Sequence, residues 1–145
     1  MANIRHFKEL RVWKAAMDAA MRIFEVAKRF PPEERYSMTD QIRRSSRSVA
    51  ANITEAWRKR RYPAAFISKL NDAESEAAET QTRIEFASRC GYLTTEDAKR
   101  LTEEYEHICS QLVVMAEHSD DWTIRESPRR RVTVSQRPQR EGEGE

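Results

Sequence analysis

Four long segments of the chain repeat apolar residues every three or four positions, and only short breaks separate them. The breaks are Pro31-Pro32, Tyr62-Pro63 and Cys90-Gly91, where proline removes a backbone donor and glycine suits the left-handed residue after a helix. Because the loops are this short, the segments predict an all-α fold, an up-down-up-down antiparallel four-helix bundle. The predicted helices cover about residues 6–29, 37–61, 63–90 and 94–118.

Composition places the bundle in residues 1–118 and leaves a different segment after it. Of the 145 residues, 34% are charged, and no apolar run approaches the roughly 20 residues that a membrane span needs. No signal-peptide pattern is visible at the start, so we expect a cytoplasmic protein without a membrane partner. Residues 119–145 are rich in Arg, Glu and Pro and have little to bury, which predicts a disordered C-terminal tail.

The first predicted helix carries two apolar stripes side by side. One runs through Leu10, Met17 and Phe24, and the other contains Val12, Ile23 and Val26. Together they cover about 160° of the helix, whereas packing on a single core requires about 100°. Either the helix is deeply buried in one bundle, or the second stripe contacts another subunit; the second interpretation makes Val12, Ile23 and Val26 candidate oligomer contacts.

Positive charge is concentrated in the second predicted helix. Residues 41–63 carry a net charge of +6, although the whole chain has a formal net charge of only +2. Basic residues at a helix end are favoured by the helix dipole, but four in succession exceed what a cap needs. They are an ordinary solvated face, partners for acids, or a surface that attracts phosphates. The candidate nucleic-acid-binding residues are Arg43, Arg44, Arg47, Arg58, Lys59, Arg60 and Arg61.

Two further polar residues on this helix are candidates for structural or oligomer contacts. Asn52 falls on the apolar seam, where its amide needs a hydrogen-bond partner and can fix helix register or subunit geometry. Glu55 is expected to pair with Arg58 or Lys59 on the next turn, or with a cation of a neighbouring subunit. Both residues favour architecture over ligand binding.

The sequence contains no complete catalytic or metal-binding motif. Glu104 and His107 form one Glu-x-x-His motif, but a di-iron bundle site needs two such motifs and further inward glutamates. The two cysteines have no histidine at a suggestive spacing, and three glycines cannot build a phosphate-binding loop. We therefore expect a non-enzymatic protein without a metal site or cofactor.

Several short segments, in order and spacing, resemble one bacterial family, the four-helix bundle proteins also called 23S rRNA intervening-sequence proteins. The resemblance covers about residues 7–118, and the positions that match the family pattern include Gln41, Arg44 and Asn52. Ala56 and Thr54 depart from it, since glycine and alanine are common there. The segments are Phe7-Lys8-Glu9-Leu10-Arg11-Val12-Trp13, Phe30-Pro31, Gln41-Ile42-Arg43-Arg44, Ser48-Val49, Asn52-Ile53-Thr54-Glu55 and Gly91-Tyr92-Leu93.

The resemblance implies an all-α subunit that assembles into a ring, commonly a homopentamer. Related proteins are accessory subunits of diversity-generating retroelements, where the oligomer binds a reverse transcriptase and nucleic acid. The resulting hypothesis is a homo-oligomeric bundle, pentameric by this resemblance, that binds RNA or DNA through the basic second helix and serves a reverse transcriptase or an rRNA-associated element. The alternative is a protein-interaction scaffold that binds no nucleic acid.

Overall fold

The structure, a computed structural model, describes residues 3–124. These residues form four long helices and no strand, so the predicted all-α fold is confirmed. Within the described residues, no helix is both long and apolar enough to cross a membrane. The predicted disordered tail lies outside the described residues from position 125 onward. The helices are α1 (Arg11–Ala27), α2 (Asp40–Arg58), α3 (Pro63–Arg89) and α4 (Thr95–Glu117).

The second half of the chain begins and ends its helices where the sequence predicts. Pro63 is the first residue of α3, where a missing backbone donor costs nothing. After α3, Gly91 takes a left-handed φ of 79°, which glycine adopts without strain. Thr94 caps α4, since its hydroxyl oxygen accepts the backbone N–H of Asp97 at 3.0 Å.

The first half differs in detail. A short 3-10 turn (Phe7–Glu9) and an extended Leu10 precede α1, so the first helix begins later than predicted. Before α2, a 3-10 turn (Pro32–Glu34) leads into a π-helical turn (Arg35–Thr39). The second helix is predicted to begin at about residue 37, but Ser37 lies inside that turn and does not cap α2. The chain is already helical there, so no free helix start remains for its hydroxyl to cap.

Side-chain contacts establish the relative directions of the helices. In each adjacent pair, residue numbers rise along one helix and fall along the other, as antiparallel neighbours and the predicted up-down-up-down order require. The contacts are Trp13–Thr54 and Phe24–Arg43 for α1 and α2, Glu55–Lys69 and Ser45–Thr80 for α2 and α3, Glu74–Cys109 and Gln81–Thr102 for α3 and α4, and Arg22–Glu104 and Arg29–Asp97 for α1 and α4.

One continuous core lies between the four helices. Small residues such as Ala16 and Ala77 are fully buried, which lets the helix axes approach closely around the larger Phe66 and Tyr105. Ala56, where the family commonly has glycine, is also fully buried, and α2 continues through it to Arg58. Alanine at this position is therefore accommodated within a continuous helix.

The second apolar stripe of α1 belongs to the core of the single subunit. Val12, Ile23 and Val26 retain only 5%, 0% and 7% of their surface exposure. Their assignment as contacts to another subunit is wrong, because they are already buried in the core of the single chain. Apolar surface remains instead at Met17 and Met21, which are 36% and 52% exposed.

The bundle extends past the predicted boundary at residue 118. Ser119–Asp121 form a 3-10 turn, and the half-buried Trp122 packs against the core. The backbone N–H of Ile124 donates to the carbonyl of Arg60 at 3.0 Å. Residues 119–124 lie at the same end of the bundle as the last turn of α2.

Candidate nucleic-acid interface

Three arginines form an exposed row along α2. Arg44, Arg47 and Arg58 are all exposed, and at about 100° per residue they fall within about 60° of one another around the helix axis. Arg44 and Arg58 are separated by about 21 Å along that axis, at 1.5 Å per residue. The row therefore follows the helix and does not gather at one end.

Beyond α2, Lys59 and Arg61 are also exposed. We call these five residues, Arg44, Arg47, Arg58, Lys59 and Arg61, the basic face. None of them takes part in the ion pairs formed within residues 3–124. Their charges are consequently available to an external anion.

Arg44 and Arg47 of the basic face border a shallow groove of about 540 Å³. Arg44 and Arg47 line it with Gln41 and Ser48, which can donate hydrogen bonds. Across from Arg44, burial and the neighbouring Glu79 raise the pKa of Glu76, while Arg44 itself opposes this rise. The groove thus offers charged and polar donors in one place, with Arg43 and the Asp40 carboxylate also in its lining.

Arg43, also predicted to bind nucleic acid, is only partly exposed and contacts α1. Its guanidinium lies 4.6 Å from the centroid of the Phe24 ring, and Nη2 donates to the Phe24 carbonyl at 3.1 Å. That carbonyl is near the end of α1, where the N–H of Lys28 bonds to Glu25 instead, at 3.3 Å. Arg43 therefore caps α1 and joins it to α2.

Replacing Arg43 with alanine is expected to lower the free energy of unfolding by about 2 kcal/mol, because a charge-assisted hydrogen bond and a cation–π contact are lost together. Urea denaturation followed by circular dichroism measures the change. Arg44→Ala is the control and should change stability by less than about 0.5 kcal/mol, since Arg44 is exposed. Equal effects of the two substitutions would contradict the capping role of Arg43.

Arg60, also predicted to bind nucleic acid, is only partly exposed and lies against Trp57. Its guanidinium carbon lies 3.4 Å from the centroid of the Trp57 ring, and Nε donates to the Trp57 carbonyl at 2.8 Å. Burial, followed by the charge of Arg58, lowers the pKa of Arg60 from its ordinary value. The side chain caps the end of α2 and is committed to that contact.

Glu55 pairs with a different residue from the ones predicted. Its carboxylate lies 2.7 Å from Nζ of Lys69 on α3, and the hydrogen bond from Lys69 holds the pKa of Glu55 below its ordinary value. Any stability from this shift is present above the ordinary glutamate pKa and is lost as the pH falls through the lower, folded value. Glu55 is architectural, but it joins two helices of one subunit.

Asn52 meets its hydrogen-bonding needs locally. It is half-buried, and Nδ2 donates to the carbonyl of Ser48 one turn earlier in α2, at 2.9 Å. A buried interhelical hydrogen bond lies elsewhere, where the Thr80 hydroxyl donates to that of Ser45 at 2.9 Å. Ser45 and Thr80 thus join α2 to α3, while the hydrogen bond of Asn52 stays within α2.

Charge is divided between the two halves of the bundle. From Asp40 to Arg61, α2 and the turn after it carry seven cations and two acids. In contrast, α3 carries five acids and three cations, and α4 carries six acids and two cations. The surface is therefore positive along α2 and negative along α3 and α4, which the small net charge of the chain conceals.

The Glu-x-x-His motif is not assembled into a site. Glu104 accepts a hydrogen bond from Nε of Arg22 at 2.8 Å, and the exposed His107 contacts Gln111, with 3.3 Å between the side-chain nitrogens. Across residues 3–124, no three potential ligands come together in a group that could hold a metal ion. The described residues thus place these two side chains in surface contacts.

An apolar patch beside the basic face was missed by the residue predictions. Met17, Met21 and Phe24 border a groove of about 430 Å³ between α1 and α2, with Ala50 at its base and Arg47 at its edge. Met17 and Phe24 lie on the first stripe of α1, so the width of that helix contained the signal. Leu10 of that stripe is nevertheless buried, so only part of the stripe reaches the surface.

Comparisons with known proteins show the family to which the chain belongs. A family model described as "23S rRNA-intervening sequence protein" matches residues 8–114. A crystal structure from Bacteroides thetaiotaomicron, of a protein described as of unknown function from the S23 ribosomal protein family, shares 33% sequence identity with a TM-score of 0.67. The alignment covers 73% of this chain and 95% of that one. None of the curated proteins compared with the chain matches it. The chain belongs to the 23S rRNA-intervening sequence protein family.

Proposed function

We propose that this protein is a non-enzymatic, homo-oligomeric bundle that binds RNA or DNA through its basic face. The observation that carries the proposal is the absence of any ion pair to Arg44, Arg47, Arg58, Lys59 or Arg61 within residues 3–124. A row of unpaired cations is an electrostatic footprint suited to phosphates.

The spacing of the basic face matches a nucleic-acid backbone in scale. Arg44 and Arg58 are about 21 Å apart along α2, and phosphates of one strand repeat about every 3.4 Å along duplex DNA. The row therefore spans about six phosphates. Contacts of this kind position a protein on nucleic acid with little readout of sequence.

Assembly would strengthen this binding. In a ring, pentameric by the family resemblance, the basic face is repeated by each subunit and the fields add. The apolar patch at Met17, Met21 and Phe24 supports a subunit contact, because it lies outside the core of the single chain. A cytoplasmic rRNA-associated element or a reverse transcriptase complex is the setting that this proposal favours.

The test is the combined substitution of Arg44, Arg47 and Arg58 by glutamine. Affinity for a labelled RNA or DNA oligonucleotide, measured by fluorescence anisotropy, should fall about tenfold or more at low salt. The slope of log affinity against log salt should become less steep by about 2 to 3, because three phosphate contacts are lost.

A matched control removes the same charge from the opposite side of the bundle. Arg89, Lys99 and Arg100 are exposed cations of α3 and α4, and their combined substitution by glutamine should leave affinity nearly unchanged. If both triple variants weaken binding equally, net charge governs binding and the basic face does not. If the unmodified protein binds no oligonucleotide at low salt, the proposed function fails.

A second candidate function is a protein scaffold without nucleic-acid binding. The division of charge between α2 and the α3–α4 side supports it, because the positive surface of one subunit can meet the negative surface of the next. In that case the Arg44, Arg47 and Arg58 triple variant should show a smaller mass in sedimentation. Under nucleic-acid binding, the mass of the variant should stay unchanged.

A further inference from the structure

We infer that the turn after α2 is a stacking platform for an unpaired base, with Tyr62 as the ring that receives it. The inference rests on the proposed function and names its ligand class, single-stranded RNA or DNA. It concerns an aromatic residue that the charge pattern does not involve.

Tyr62 is presented outward by a backbone that is well fixed. Its side chain is 65% exposed, and it immediately precedes Pro63, the first residue of α3. The N–H of Tyr62 donates to the carbonyl of Lys59 at 2.9 Å, and its own carbonyl accepts the N–H of Phe66 at 2.9 Å. The ring therefore extends into solvent from a turn whose hydrogen bonds are made.

The turn that carries this ring also carries charged and apolar residues. Lys59 and Arg61 are exposed in the same turn, while Arg60 is held against Trp57. Ile124, which is 47% exposed, is tied to the turn through its N–H bond to the Arg60 carbonyl. An exposed aromatic ring in the same turn as two exposed cations is the combination that single-strand binding surfaces use.

The choice between strand types follows from base chemistry. A ring can stack only on a base whose face is open, and the bases of a duplex are covered by their neighbours except at the ends. Phosphates flanking an unpaired base on Tyr62 would meet Lys59 and Arg61. Single strands should consequently gain a contact that duplexes of the same charge do not make.

The experiment compares Tyr62→Ala with the unmodified protein, using a labelled 15-nucleotide oligothymidine and a 15-base-pair duplex. Loss of stacking should weaken oligothymidine binding about tenfold and leave duplex binding unchanged, since a stacked base is worth roughly 1–3 kcal/mol. The salt slope should also be unchanged, because no phosphate contact is removed. Tyr62→Phe keeps the ring and should retain affinity.

Tyr36 supplies the matched control. It is 74% exposed at the opposite end of the bundle, and the guanidinium of Arg35 already lies over its ring at 5.4 Å. Tyr36→Ala should bind oligothymidine like the unmodified protein. Unchanged oligothymidine affinity in Tyr62→Ala, or an equal loss for strand and duplex, would overturn the inference while the Arg44, Arg47 and Arg58 test still supports the proposed function. If the unmodified protein binds neither the oligothymidine nor the duplex, both the inference and the proposed function are overturned.

Discussion

Replacing Ile23 with alanine is expected to lower the free energy of unfolding by about 3–4 kcal/mol. Ile23 is fully buried in the core between the helices, so the substitution removes apolar burial and leaves a cavity. The loss should be independent of protein concentration, because the contacts belong to one chain. Urea denaturation at two protein concentrations, followed by circular dichroism, measures it.

Met21→Ala is the control for this experiment. Met21 lies two residues before Ile23 on α1 but is 52% exposed, so its truncation should cost less than about 1 kcal/mol in the isolated subunit. A loss for Ile23→Ala that appears only at high protein concentration would contradict its place in the single-subunit core. It would return Ile23 to the subunit interface.

Replacing both Met17 and Met21 with glutamate is expected to convert the proposed oligomer into monomers. The two methionines border the apolar patch between α1 and α2, and burying two carboxylates in a subunit contact costs several kcal/mol. Analytical ultracentrifugation gives the mass, and circular dichroism confirms that the helices remain.

The control for the assembly experiment lies on the opposite half of the bundle. Phe86 of α3 is 60% exposed, and Phe86→Glu also introduces a charge at an apolar surface position. It should leave the oligomer intact if the patch beside the basic face is the contact. If Phe86→Glu dissociates the oligomer and the methionine variant does not, subunits meet through α3 instead.

The helices and their core residues were predictable because both depend on local sequence. Apolar spacing places residues such as Ile42 and Leu101 on the buried side of their helices, and Pro63, Gly91 and Thr94 mark boundaries through backbone chemistry. The π-helical turn before α2 has no comparable signal, since the sequence around Ser37 also suits an ordinary helix start.

The basic face was predictable as a concentration of charge, but its members were not. In the sequence, Arg43 and Arg60 cannot be distinguished from their exposed neighbours. Only the structure shows that their guanidinium groups lie against the rings of Phe24 and Trp57. The partner of Glu55 is equally remote, because Lys69 reaches it from another helix. The partners of long cationic side chains depend on which residues the fold brings close, and sequence spacing cannot identify those residues.

The uneven distribution of charge over the two halves of the bundle has a consequence for handling the protein. Ion exchangers respond to the surface that faces them, so a molecule with a formal net charge of only +2 should still adhere to both resin types at neutral pH. The α2 side would be adsorbed by sulfonate beads and the α3–α4 side by quaternary-amine beads. Elution position on either column thus reports which half is accessible.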